Sequence, residues 1–178
     1  TYTYLGYNLK SPLFSDIRVR QAFAHAISKP DVVKGALLGQ GDTTIGPYKP
    51  DTWVYNKDIH DYPYDPGKAL ELLAEAGWVK GKSGLLEKNG VPFSFTILTN
   101  QGNEQRIKTA IIIQSQLQKL GIEAKIRTLE LAAFLEQFVI PGYFGGVVHA
   151  WTIPRDPDGY DVWYSSRAGA GGLIVFGY

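Results

Sequence analysis

The chain contains no cysteine and no methionine. Without cysteine, disulfides, thiolate metal sites, iron–sulfur ligation and a thiol nucleophile are all excluded. That absence leaves the compartment open, because a cysteine-free chain is compatible with reducing and oxidising surroundings alike. With no methionine even at position 1, a chain opening on Thr1 is expected to have been cut or processed from something longer. Excess charge of either sign is also lacking. Eighteen Lys and Arg stand against 17 Asp and Glu, for a formal net charge of +1, which argues against a main role in gripping nucleic acid or an anionic membrane. Long apolar runs are missing too. The longest aliphatic block, Ala110 to Ile113, falls far short of the ~18 residues that span a bilayer, and no secretory leader is recognisable at the start.

What is present is an ordinary globular mixture: 178 residues, 44% hydrophobic and 20% charged, read as one domain covering 1–178. The aromatic share stands out, at 13% with 11 Tyr, 8 Phe and 4 Trp. Tyr and Trp join an apolar body to a polar tip, which suits both core filling and recognition surfaces.

Periodicity and punctuation divide the chain into elements. Thr1 to Leu9 alternates loosely, as a strand does. Asp16 caps a helix running to about Ala26, with Val19, Phe23 and Ile27 on one face. Ser28-Lys29-Pro30-Asp31 reads as a capping box opening a second helix that ends before Gly39. The spacing of this pair is that of a helix–turn–helix, but the near-neutral charge, with Lys34 the one basic residue read along the second helix, speaks against DNA. Residues 39–63 are rich in Gly, Pro, Asp and Asn and carry Tyr48, Trp53 and Tyr55. Irregular stretches of this length are uncommon inside compact domains and are often functional.

Asp65-Pro66 starts a third helix, with Ala69, Leu72, Leu73 and Ala76 as its apolar stripe and Gly77 at its end. Leu85 to Lys88, Asn89-Gly90 and Val91 to Thr99 form the clearest hairpin signal. Asn103 opens a long helix to about Leu120, with Ile107, Ala110, Ile111, Ile113 and Leu117 close to one stripe and Gly121 as the stop. Strands follow at 122–129 and 145–151, with short helices at 131–139 and 160–165. Strand 91–99, helix 103–120 and strand 122–129 make a β-α-β unit with a right-handed crossover. The fold class is α/β, mixed α+β, with a central mixed sheet flanked by helices.

Several chemistries are suggested and then fail. Gly77 to Ser83 resembles a phosphate-binding loop but has three intervening residues where four are needed, and it follows a helix rather than a strand. Asp156 to Asp161 looks calcium-like, yet its glycine is displaced and Arg167 stands where the closing Glu should be. His25, His60 and His149 are scattered, form no close ligand pair and are expected to be structural. No Gly-x-Ser-x-Gly elbow exists. No cofactor, metal or catalytic set is expected.

The motifs converge when taken in order. Leu5-Gly6-Tyr7-Asn8, Pro12, Asp16 to Ala24 and Ala26-Ile27 are followed by Tyr64-Asp65-Pro66, Ala69, Leu72-Leu73 and Glu75 to Trp78. Asn89-Gly90, Leu98-Thr99-Asn100, Leu120-Gly121-Ile122 and Trp151 before Asp156-Pro157-Asp158 complete the set. This ordered series resembles the bacterial extracellular solute-binding proteins of the oligopeptide, dipeptide and nickel type. The resemblance implies a periplasmic-binding-protein-like lobe, the second of two. It would run from a hinge strand near Thr1 to a return crossing near 175–178, with the first lobe absent. It further implies a parent protein, secreted or lipid-anchored, on the periplasmic or extracellular face of the bacterial membrane. That parent hands its ligand to the membrane subunits of an ABC importer and does no chemistry on it.

The same resemblance points to the loop after Trp151 for ligand contacts. Peptide receptors of this kind place an Asp three residues after that Trp, paired with the peptide's terminal ammonium. Here the position is Pro154, a departure, with Asp156 two residues further on. The candidate ligand residues are therefore Trp151, Thr152 and Asp156. Asn100 and Gln101 join them at the carboxyl end of a parallel strand, where ligands sit in open α/β sheets. Tyr48 and Trp53 on the long loop are further candidates, with core packing and ligand contact equally open. Arg18 and Arg20 are expected to pair locally. Oligopeptide is the expected ligand and oligosaccharide the alternative. Two readings from other classes stand beside these: a hydrolase using Asp156 and Glu130, and an interaction module with residues 48–55 as its patch.

Overall fold

A computed structural model describes residues 1–49, 51–152 and 158–164. Its main sheet has four strands, β1 (Tyr2–Tyr7), β5 (Ser94–Asn100), β6 (Glu123–Leu129) and β7 (Gly146–Trp151), in the order β1-β7-β5-β6. β5 pairs in parallel with β6 from Ser94↔Glu123 to Asn100↔Leu129, and with β7 at Ile97↔Gly146 and Leu98↔Val147. β1 runs antiparallel to β7, from Tyr2↔Trp151 to Tyr7↔Gly146. The expected mixed sheet and the β-α-β unit are therefore both present.

The helices α1 (Ile17–Ala26), α2 (Lys29–Ala36), α3 (Pro66–Glu75) and α4 (Glu104–Lys119) begin where the capping residues place them. The Asp16, Asp65 and Asn103 side chains accept from the backbone N–H of Arg18, Lys68 and Arg106, which otherwise lack intrahelical partners. The capping box at Ser28 is only half formed. Its hydroxyl accepts from the Asp31 N–H, but its own N–H donates to Gln116 Oε1 at 3.2 Å instead of to Asp31. That bond ties α2 to α4 through the buried Gln116. Lys29 belongs to α2 as well as Lys34, and it pairs with Asp61 at 2.8 Å.

The two faces of the sheet are packed differently, because alternate side chains on a strand point to opposite sides. Phe95, Ile97, Ala124 and Val148 point into one cluster with Val19 and Phe23 of α1, Ala69 and Leu73 of α3, and Ala110, Ile113 and Leu117 of α4. Aromatic rings dominate its centre. Phe23 meets Phe14 edge-on at 5.5 Å and Phe93 at 5.7 Å, and Trp78 lies 4.3 Å from Phe93. Ile111, expected on the apolar stripe of α4, is instead 49% exposed. The helix turns past it, so that Thr109, Ala110, Ile113, Gln116 and Leu117 are the buried set.

The opposite face carries Leu98 and Val147, covered by Phe134, Val139 and Phe144. The cover is a short α-turn, α5 (Leu131–Ala133), that widens into a π-helical segment over Phe134–Val139. A plain helix was expected here. At 3.6 residues per turn, positions five apart diverge by about 140°. The wider π turn brings Phe134 and Val139 to the same side, and both are buried against the sheet.

The expected hairpin is real but shorter than read. β3 (Leu86–Lys88) and β4 (Val91–Pro92) join through Asn89 and Gly90, both at positive φ, as a tight two-residue turn requires. With β2 (Val79–Lys80) they form a separate small sheet. The strand read over 91–99 breaks after Pro92, which has no N–H to donate. Phe93 then bridges the two sheets, donating its N–H to Leu86 O and accepting at its carbonyl from Glu123 N–H. Gly121 closes α4 at φ +81°, and a Cβ there would sit 2.8 Å from the Gly84 carbonyl, so no other residue fits without moving backbone.

These contacts set an expected outcome. Phe23→Ala, which empties the centre of the aromatic cluster, should lower unfolding free energy by about 3–5 kcal/mol. Ile111→Ala on the exposed side of α4 should change it by no more than ~0.5 kcal/mol. Urea denaturation of the two variants checks the difference.

Candidate functional site

The parallel strands β5, β6 and β7 all end at one edge of the sheet, and the antiparallel β1 begins there. The register places Tyr2 opposite Trp151 and Tyr4 opposite His149. Residues two apart share a face, so Tyr2, Tyr4, His149 and Trp151 form one aromatic group on the side of Phe134. Tyr4 and His149 are 6.3 Å apart in a T-shaped contact, His149 and Trp151 6.3 Å, and Phe134 and His149 5.4 Å. The Trp151 ring N–H serves the Tyr4 hydroxyl.

Arg106, on the first turn of α4, reaches this group. Its Nη1 donates to Asn100 Oδ1 at 2.7 Å, while Asn100 Nδ2 donates to the Gln101 carbonyl at 3.1 Å. Asn100 is buried, and its side-chain amide is spent on aiming Arg106 and closing the strand end. Partial burial holds the Arg106 guanidinium below its ordinary range, and its field acts on both Tyr4 and His149. Burial raises the Tyr2 and Tyr4 hydroxyls above the usual phenol value. His149 is pushed down to about 4, first by burial and then by Arg106, so it is neutral near pH 7.

Beside this edge lies a cleft of about 1040 Å³ bounded by β1, α2, α4 and the long loop. Tyr2 and Tyr4 belong to both features, and Tyr48, Lys49 and Asp51 form the loop side of the cleft. The loop is held by side-chain ties rather than by regular structure. Lys29 pairs with Asp61 at 2.8 Å, and His25 Nδ1 lies 2.8 Å from the Pro63 carbonyl. Tyr48 also approaches α6 (Tyr160–Trp163), since a Cβ on Gly159 would stand 3.3 Å from its hydroxyl.

The candidates separate accordingly. Trp151 and Asn100 come together at the sheet edge, Gln101 and Thr152 are exposed at the ends of their strands, and Tyr48 lines the neighbouring cleft. Trp53 does neither: it is 87% exposed and does not line the cleft, so the core reading of this residue fails. Asp156, Pro154 and the first part of the calcium-like loop lie outside the described residues. Arg18 and Arg20 are structural as expected, binding Asp16 and the carbonyls of Glu75, Phe14 and Ser15. Glu130 is committed to α5, accepting from the N–H of Ala132 and Ala133, and those bonds hold its carboxyl below the usual range. A carboxylate held ionised in this way is unsuited to general-acid work. No group of three metal-ligating side chains occurs among the described residues.

Sequence reasoning passed over Arg106 and read His149 as structural. The one signal for Arg106 was its position on the first turn after the Asn103 cap, one turn beyond Asn100. His149 had a local signal in its place two residues before Trp151, on the same strand face.

His149 generates a pH expectation. Its folded value lies below the ordinary 6.5, so the unfolded chain binds more protons between about 4 and 6.5, and stability falls as pH drops through that window. Arg106 and Tyr4 are the ionisable groups facing the ring. Melting temperatures from pH 7 to pH 4.5 should fall more for the wild type than for His149→Gln. Parallel curves would show that the imidazole does not carry the effect.

The family model described as bacterial extracellular solute-binding proteins, family 5 Middle, matches residues 1–172. The oligopeptide-binding protein AppA of Bacillus subtilis is 41% identical over 171 residues, 94% of this chain and 32% of that protein. The structure of AppA with a nonapeptide superposes with a TM-score of 0.90 at 40% identity, covering 99% of this chain and 36% of AppA. The dipeptide-binding protein of Escherichia coli is 34% identical over 158 residues, 88% of this chain and 28% of its own. NikZ of Campylobacter jejuni, solved with Ni(L-His), gives a TM-score of 0.90 at 30% identity, over 99% of this chain and 36% of NikZ. The chain thus spans about a third of the length of these relatives.

Proposed function

The chain belongs to the bacterial extracellular solute-binding proteins of family 5, a family of binders rather than enzymes, and we propose that it is one lobe of a peptide receptor for an ABC importer. The observation that carries the reading is the likeness to AppA, a protein solved with a nonapeptide, over nearly the whole chain. The site is compatible with that role. Aromatic faces at a strand edge accept side chains of many kinds through apolar contact, and a long cleft beside them has room for an extended ligand. The ligand would be gripped when a second lobe of the same protein closes over this edge about a hinge. Such closure excludes water and strengthens every polar contact made inside.

In this reading Trp151 is a wall of the ligand cavity. Thr152, Gln101 and Tyr48 are contacts from its rim, and Asp156 is the carboxylate that would meet a ligand ammonium in the absence of an Asp at position 154. The parent protein would work outside the cytoplasm, secreted or held at the membrane by a lipid anchor. Among the described residues no helix is long and apolar enough to cross a membrane.

Native mass spectrometry of the full protein as its gene encodes it, purified without denaturation, tests the proposal. The expected result is a set of co-purifying masses that hydrolyse to amino acids. Masses spaced by hexose units would overturn the peptide assignment in favour of an oligosaccharide receptor.

A further inference from the structure

The long loop between α2 and α3 has two limbs that are held very differently. The return limb is anchored on α1. His25 Nδ1 lies 2.8 Å from the Pro63 carbonyl, and the His25 carbonyl accepts from the Asp65 N–H at 2.9 Å. Tyr62 meets the His25 ring edge-on at 5.4 Å. The wall limb, residues 41–49, forms one side of the cleft and has less to hold it. Among the described residues, no backbone hydrogen bond joins residues 41–47 to another segment. The Thr44 hydroxyl is spent within its own limb, donating to the Gly46 carbonyl at 2.6 Å and accepting from the Gly46 N–H at 3.2 Å.

Lys29, on the first turn of α2, is where the limbs meet. Its Nζ donates to Asp61 Oδ1 at 2.8 Å on the return limb and to the Thr44 carbonyl at 3.4 Å on the wall limb. The first bond is charge-assisted and holds the Asp61 carboxyl below the usual range. The second is long for a hydrogen bond. Beside them, a Cβ on Gly46 would stand 3.5 Å from Ile59 Cδ1, and Tyr48 reaches toward α6. Under the wall lie the aliphatic side chains of Leu5, Ile27, Val32, Val33, Leu37 and Ile113. Opening the wall would wet them, so the hydrophobic effect favours the shut limb. The ion pair favours it too, but both partners are well exposed, and such a pair shifts an equilibrium by no more than about five-fold. Ties of that strength hold a segment without locking it.

We propose that Lys29 is a positioning residue for ligand binding: its ammonium latches the wall limb to the anchored return limb, and release of that latch opens the side of the cleft. The positioning role rests on the reading of this cleft as a peptide site, whereas the latch itself does not. A shut wall adds contacts to a ligand already seated. Loss of the latch therefore raises the dissociation rate more than it changes the association rate.

Two measurements on the full protein as its gene encodes it test the latch and its use. Under native conditions, chymotryptic cutting after Tyr48 reports the open population where opening and closing outpace cleavage. Lys29→Met, which keeps the stem and removes the charge, should speed this cut about two- to five-fold. Asp61→Asn should do the same from the other side of the pair. Lys29→Arg should keep the wild-type rate, and Lys34→Met, a charge loss elsewhere on α2, should leave it unchanged. Higher ionic strength should bring the wild type toward Lys29→Met, because salt screens exposed pairs. A lysine that served only by packing its stem would show no such convergence. Release of a random pentapeptide pool, followed by stopped flow, should quicken in Lys29→Met by the same factor.

Equal cut rates in the wild type, Lys29→Met and Asp61→Asn would overturn the latch while leaving the peptide reading in place. Faster cutting with unchanged peptide release would leave a tied loop and overturn the positioning role. If the wild type binds none of the pool, the peptide reading falls and the positioning role falls with it. Cut rates that still differ would then show that the latch itself had not failed.

Discussion

The pairing of β1 with β7 is the contact on which the rest of the site depends. It joins segments at opposite ends of the described chain, Tyr2 to Trp151 and Tyr7 to Gly146. Closing so long a loop is entropically unfavourable, although the added cost grows only slowly with length. The six-residue ladder meets it with backbone hydrogen bonds and with side chains packed on both faces. On one face Leu5, Tyr7 and Val148 enter the aromatic core, and on the other Tyr4 and Val147 meet Phe134. Move the register by one residue and every side chain changes sides. The aromatic group at the strand edge would then be dispersed into the core.

The core in turn gives the edge its stiffness. Ring-on-ring contacts among Phe14, Phe23, Phe93 and Phe95 hold α1 against the sheet. The Ser28–Gln116 bond then couples α2 to α4. α4 is the element that carries Arg106, and its N-terminal turn is fixed by the Asn103 cap at the end of β5. Cap, strand end and guanidinium form one continuous set of short bonds, from Asn103 to the Arg106 backbone and from the Arg106 side chain back to Asn100. Polar groups positioned in this way lose little freedom when a ligand arrives, and less ordering on binding leaves more of the gross interaction as affinity.

Solvation connects this geometry to a binding role. Arg106 and His149 are each displaced from their ordinary protonation behaviour chiefly by burial; Arg106 makes one side-chain bond, to Asn100, and among the described residues His149 Nδ1 has no partner. Perturbed polar groups of this kind cluster at functional sites. The cleft beside them is different in character. Its loop wall is built from residues without regular structure, tied down at Lys29 and His25, and segments of that kind are the ones able to adjust to different ligands.

Much of the fold was legible in the residues taken alone, because its signals are local. Asp16, Asp65 and Asn103 announce their helices by capping chemistry. Asn89-Gly90 announces a tight turn, and Gly121 a stop that only glycine can make. The β-α-β unit followed from order and handedness. Within the candidate site, Asn100 was picked out by its place at the end of a parallel strand and Trp151 by its place in the ordered motif series. What tertiary structure alone decided is non-local. The partnership of β1 with β7, the diversion of the Ser28 N–H to Gln116, the exposure of Ile111 and Trp53, and the π turn under Phe134 all depend on what another segment places opposite. Arg106 and His149 belong to the same group. An arginine near a helix start and a histidine in a strand are common, and what distinguishes these two is their partial removal from water around Tyr4. Sequence records the donors along a chain, whereas only the packed fold determines which of them are taken out of water.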